Sequence, residues 1–232
     1  MKKVLIGMLI VVIAAASAFA GVTAGAIAQW NGTLGSAMHD ITNEDGSINW
    51  EKAKEAALDP AAWQFGAEVR TSIAIAEIDA AALFSKADAG MIINGYLTAG
   101  INIDLFIAKL GLTIGPDVTY FTDPADATAL GKPQLMIGTM DQAQQDRYDD
   151  YVADYQAKND GETPDDLLAT FLTAPLNLKA TADFVLGPVV VGASLVLPVN
   201  VSFYGMDIKD LIPKAEDLMR CKVGLSAGIK LF

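Results

Sequence analysis

Few residues in this chain have the type and spacing to do chemistry. His39 is the single histidine, so there is no histidine-rich metal cluster, and Ser36 or a nearby acid does not make a triad without a placed partner. Cys221 is the single cysteine, which excludes an intramolecular disulfide. No feature of the sequence marks it as a nucleophile, so it reads as a wall residue opening the last strand. The run Asn43-Glu44-Asp45-Gly46-Ser47 invites a calcium reading. Aligning Gly46 with the glycine of an EF-hand loop, however, puts Ile41 at the first ligand position and Lys52 at the last, so the run reads as a solvated turn. Asn31-Gly32-Thr33 matches a glycosylation acceptor and falls inside an expected strand. These residues supply no catalytic, metal or cofactor site, and the chain reads as a non-enzyme.

What remains is a set of charged and amide side chains among small residues. Glu68 and Arg70, Asn94 and the pair Asn102 and Asp104, Lys109, Lys179 and Asp183 all sit in stretches where apolar and polar residues alternate. A β-strand sends successive side chains to opposite faces, so alternation predicts strands with one apolar and one polar face. Candidate strands cover 22–34, 63–75, a weaker one through Ile78, Ala80, Ala82 and Phe84, then 92–104, 107–122, 175–186, 189–204 and 223–231. Ile27 interrupts the first pattern, and Pro198 interrupts the seventh because proline cannot donate to a ladder.

The polar face decides which way the sheet curls. It is rich in Gly, Ser, Thr and Asn and carries charges of both signs, which fits a crowded interior where opposite charges pair. The Ala, Val, Leu and Ile face carries almost no charge and suits lipid. Connections at about 36–62, 123–174 and 205–219 are long, and those after strands two, four and six are short. The long connections hold three-quarters of the acidic residues of a chain whose net charge is −12. That balance repels nucleic acid. In the second long connection Tyr148, Tyr151 and Tyr155 recur at helical spacing among aspartates, and a further helix is expected to start at Thr163-Pro164-Asp165-Asp166. Residues 49–58 and 207–218 add two weaker helical stretches. The tyrosines are candidates for loop-helix interaction, with helix-on-helix packing the simpler reading. Trp30, Trp63, Phe84, Tyr120 and Phe203 lie near the long-loop ends, where a membrane barrel carries its aromatic girdle.

Residues 1–20 have the parts of an export signal: Lys2 and Lys3, an apolar run from Val4 to about Ala16, and Ala18-Phe19-Ala20 as a cleavage sequence. Residues 21–232 then form one domain. This pattern resembles the small outer-membrane β-barrel proteins of diderm bacteria, in particular the eight-stranded kind. The resemblance rests on alternation and loop asymmetry; the chain also ends on an aromatic, Phe232, which falls in phase with Lys230 and not with the outward residues. It implies an all-β, antiparallel up-and-down transmembrane barrel of about eight strands, with ten as the alternative, and helical extracellular loops. It further implies an outer-membrane location, contact with outer-membrane lipid and the assembly machinery, and an extracellular partner or solute. The function expected is structural or surface-interaction, or else a narrow porin-like channel. The alternatives are a soluble periplasmic barrel binding an apolar ligand and, after that, an outer-membrane hydrolase.

Overall fold

The computed structural model describes residues 21–43, 45–206, 211–212 and 215–231. The expected signal peptide, Glu44 and Phe232 lie outside the described residues. Nine strands form one antiparallel sheet: β1 Gly21–Trp30, β2 Trp63–Ile73, β3 Ala76–Lys86, β4 Met91–Leu105, β5 Ala108–Phe121, β6 Leu135–Ile137, β7 Leu176–Leu186, β8 Val189–Val199 and β9 Lys222–Lys230. Their order is β4-β3-β2-β1-β9-β8-β7-β5-β6, and β4 also pairs with β5. The eight long strands therefore close into a barrel, and β6 is a short addition where β5 extends past β7, along Val118 to Tyr120. Closure leaves none of the eight with a free edge.

Followed once around the barrel, the pairing register returns to β9 displaced by about ten residues, which sets a strand tilt of roughly 40°. The hairpins at Ala74-Ile75, Phe106-Ile107 and Gly187-Pro188 are two-residue turns at one end of the barrel. The opposite end holds the long connections, together with the short one at 87–90. Pro198 stays in β8 because pairing with β9 stops at Val196, so that stretch is paired on the β7 side alone.

Two expected strands are too long. Alternation runs on through 31–34, but Thr33 leaves the strand to cap a helix, accepting from the Ser36 backbone N–H at 3.3 Å while the Ser36 hydroxyl accepts from the Thr33 N–H at 3.0 Å. Asn31-Gly32-Thr33 thus lies beyond the strand. Likewise β8 ends at Val199, and the segment to 204 is irregular. The connections accordingly run from 31, 122 and 200, starting earlier than expected.

The loops are helical: α1 Leu34–Ile41, α2 Trp50–Leu58, a 3-10 turn Pro60–Ala62, α3 Pro124–Ala129, α4 Gln142–Lys158, α5 Asp166–Thr173 and α6 Ala215–Leu218. Each of the first five helices starts on a side-chain cap. Asn49, Asp123, Asp141 and Asp165 accept from backbone N–H groups of α2, α3, α4 and α5. The cap of α5 is Asp165, two residues later than the expected Thr163. Among the described residues no helix is long and apolar enough to cross a membrane.

The outer face of the wall is apolar and open, with Phe65, Leu97, Ile101, Leu112, Phe184 and Leu225 all exposed. The exception is at the loop end of β7 and β8. There Leu176, Leu197 and Val199 are buried with Val201 and Cys221, and Leu34, Phe203 and Leu211 pack against them. Cys221 lies one residue before β9 and belongs to this cluster, where burial pushes its thiol pKa up.

Candidate functional site in the barrel lumen

The interior is built from one side of every strand, and its centre is charged. Lys179 on β7 is 0 % exposed and reaches Glu68 Oε1 at 2.5 Å and Asp79 Oδ2 at 2.6 Å. Glu68 also receives Arg70 Nε at 3.2 Å, two residues along the same strand face. Arg70 then bridges to Asp183, and its second terminal nitrogen donates to the Ser226 hydroxyl at 3.5 Å. Nearer the turns Lys109 pairs with Glu77 and donates to the Ser72 hydroxyl at 2.5 Å. Two cations and three carboxylates from β2, β3 and β7 are thereby held in one buried network, and Lys109 of β5 with Glu77 of β3 forms a separate pair. Buried charges are tolerated only when so paired, because desolvation costs several kcal/mol per ion.

Glycine makes room for the charged heads. A Cβ on Gly192 would lie 1.9 Å from Asp183 Oδ1, and one on Gly111 would lie 2.4 Å from Thr181 Oγ1 and 2.8 Å from Glu77 Oε1. Real side chains do not approach so closely, so these two positions are small because their neighbours are large and ionic.

Around the charges lie further hydrogen-bonded polar side chains. The Thr98 and Thr113 hydroxyls share a 2.8 Å hydrogen bond, and Tyr96 donates its hydroxyl to Gln29 Oε1 at 3.0 Å. Asn94 donates to Gln64 at 3.4 Å and accepts from Thr119 at 3.0 Å, while Asn177 donates to Asp117 at 3.2 Å. An apolar layer of Ile27, Ala81, Leu83, Tyr96 and Val196 crosses the interior toward the loop end. This explains Ile27: it breaks the alternation because it faces inward and helps fill the lumen. The space between Thr23, Gly25, Glu68, Arg70, Ser226 and Gly228 leaves no room for a water molecule.

Of the residues expected to line the lumen, Glu68, Arg70, Asn94, Asn102, Lys109, Lys179 and Asp183 face inward. Asn102 donates to the Ala76 carbonyl at 3.2 Å. Asp104 does not belong to the set: it shares the phase of Asn102 but sits where β4 nears its turn, and its side chain is exposed. Glu77 and Asp79 were not on the expected list. The signal was present, since they alternate with Ile78 and Ala80, but the alanine-rich stretch 80–82 gives a weak apolar face and hides the period.

The loop tyrosines are engaged in packing. Tyr148 donates to Asp166 at 2.7 Å, tying α4 to α5, and the carboxylate partner holds its phenol pKa up at about 12. Tyr151 meets Tyr204 edge-on with ring centroids 5.3 Å apart and lies 6.2 Å from Tyr155. Tyr204 in turn donates to Asp154 at 2.8 Å, which raises its pKa. Arg147 adds a tether, donating to the Thr173 carbonyl at 3.2 Å and to Asn200 at 3.4 Å. Among the described residues no group of histidine, cysteine and carboxylate side chains is placed to hold a metal.

Fold and interior together define a closed, eight-stranded antiparallel barrel with a charged, filled lumen. In comparison with known proteins, no family model matches the chain and no curated sequence does.

Proposed function

We propose that this is an integral outer-membrane β-barrel that anchors an acidic, helical platform at the cell surface, in a structural or surface-interaction role. The observation that carries the reading is the reversed polarity of the wall: apolar side chains outside, ion pairs inside. A wall of exposed Phe, Leu and Ile on all sides is costly in water and favourable in hydrocarbon. The dimensions agree. The 11 residues of β2 from Trp63 to Ile73, at roughly 3.3 Å per step and roughly 40° of tilt, rise about 25 Å, the height of an outer-membrane apolar band. Trp30 and Trp63, in edge contact at 5.3 Å, together with Phe84, mark its loop-side boundary.

The filled interior supports a plug-like barrel over a porin-like channel, and over a soluble barrel that would need an apolar cavity for its ligand. The reading includes no catalytic step. Its partners are membrane lipid, the assembly machinery that inserts such barrels, and an extracellular partner met by the loops. Extraction is the test. The protein should stay with membranes in alkaline carbonate and high salt and leave only in detergent, and release without detergent would sink the reading. In planar bilayers it should conduct little or no current, and steady conductance would move it to the channel class.

A further inference from the structure

At the turn end the barrel breaks the rule that exposed turns are polar. The first residue of each two-residue turn has positive φ: Ala74 at 53°, Phe106 at 64° and Gly187 at 66°. That conformation is natural for Gly or Asn and strained for other residues. Turn geometry therefore does not explain Phe106, which is 99 % exposed, nor its neighbour Ile107 and the matching Ile75, both exposed. None of the three tips carries a polar side chain. Of the charges two residues from these turns, Glu77 and Lys109 are spent on each other inside. Asp104 and Lys230 are the exposed charges close by, two residues above the Phe106 tip and at the end of β9.

We infer that the turn end does not project into the aqueous phase but lies within the interfacial layer of the phospholipid leaflet nearest it, with Phe106 as its anchor. This rests on the outer-membrane reading above. The apolar wall continues unbroken from Ile101 through Ile103 and Leu105 to Phe106, so the tip belongs to the same lipid-contacting surface. The band measured along β2 already reaches its turn at Ile73, which places all three tips at the far boundary. There an aromatic ring is stable between acyl chains and headgroups. Asp104 and Lys230 lie at the same rim, within reach of the headgroups. The barrel would then be polarised, with acidic loops extended into solvent at one end and apolar, membrane-embedded turn tips at the other.

The test uses single cysteines in a Cys221→Ala background, each carrying a polarity-sensitive fluorophore, in phosphatidylcholine vesicles. Positions are Phe106→Cys and Ile75→Cys at the tips, Leu97→Cys on the wall and Lys158→Cys on α4. Nitroxide phospholipids labelled near the glycerol should quench both tip probes. Iodide in the water should quench them several-fold less than the probe at 158. If iodide reaches the tips as freely as 158 while lipid nitroxides still quench 97, the submerged rim is refuted and the membrane reading stands. If 97 is itself unquenched by lipid and open to iodide, the membrane reading fails and the inference falls with it. Ile75→Cys keeps the result readable if Phe106→Cys fails to assemble.

Discussion

Replacing Lys179 by methionine should be among the most damaging single changes in the barrel, and the structure says which partner suffers. Lys179 is 0 % exposed and pairs with both Glu68 and Asp79. In Lys179→Met, Glu68 still has Arg70 at 3.2 Å. Asp79 loses the cation against which it is buried. Removing one member of a buried pair costs about 3–5 kcal/mol, because the other charge is left unsolvated. That is a loss of roughly two to three and a half powers of ten in the folding equilibrium. Urea titration of the reconstituted protein, followed by fluorescence of Trp30, Trp50 and Trp63, measures it. The second variant carries the argument. Adding Asp79→Asn to Lys179→Met removes the orphaned carboxylate and should recover most of the loss, whereas adding Glu68→Gln leaves Asp79 unpaired and should recover less, with Arg70 still held by Asp183. A cost under about 1 kcal/mol for Lys179→Met, or no recovery with Asp79→Asn, would refute the view that the lumen is a dry, paired network.

Other outcomes follow from the same geometry. Gly192→Ala puts a methyl where Asp183 Oδ1 now sits, 1.9 Å from the new carbon, and should cost about 1–3 kcal/mol in the same titration by pushing that carboxylate off Arg70. Leu97→Arg, on the exposed wall, should cost about 2–4 kcal/mol of insertion stability in vesicles if the wall is lipid-facing, and almost nothing if it faces water. The Tyr148 hydrogen bond to Asp166 needs a protonated phenol. Its raised pKa means the contribution is fully present below pH 10, the ordinary tyrosine value, and lost as pH rises through about 12. Amide exchange in α5 should therefore accelerate across that window in the parent protein but show a weaker step in Tyr148→Phe.

Asn177 shows how a face can be assigned correctly and its tolerance still misjudged. Alternation places it inward, which invites Asn177→Asp as a harmless lumen change. In the structure its amide donates to Asp117 at 3.2 Å, so a second carboxylate there would face the first. Leu178 likewise reads as open wall, but it packs against the cluster of Leu176, Leu197 and Cys221 beneath the loop end. Alternation cannot see such covering, because the cover comes from Leu34, Phe203 and Leu211 in distant loops. The early end of β1 was legible in principle: Thr33 and Ser36 stand at capping spacing, and the cap overrides the chance alternation of 31–34.

By itself the sequence determined that this chain has two-faced strands, which face carries the charges and at which end the long acidic loops gather. Each of these depends on residue order at short range, through the two-residue period of an extended chain and the stiffness of tight turns. Which charges meet was decided by the tertiary structure alone. Lys179 finds Glu68, 111 positions away, and Arg70 finds Asp183, 113 positions away, because closing eight tilted strands with a fixed stagger brings particular rungs to the same height. Closure also decided that the lumen would be filled. At eight strands the circumference leaves space for side chains and little else, so Ile27, Tyr96 and the ion pairs complete the interior together.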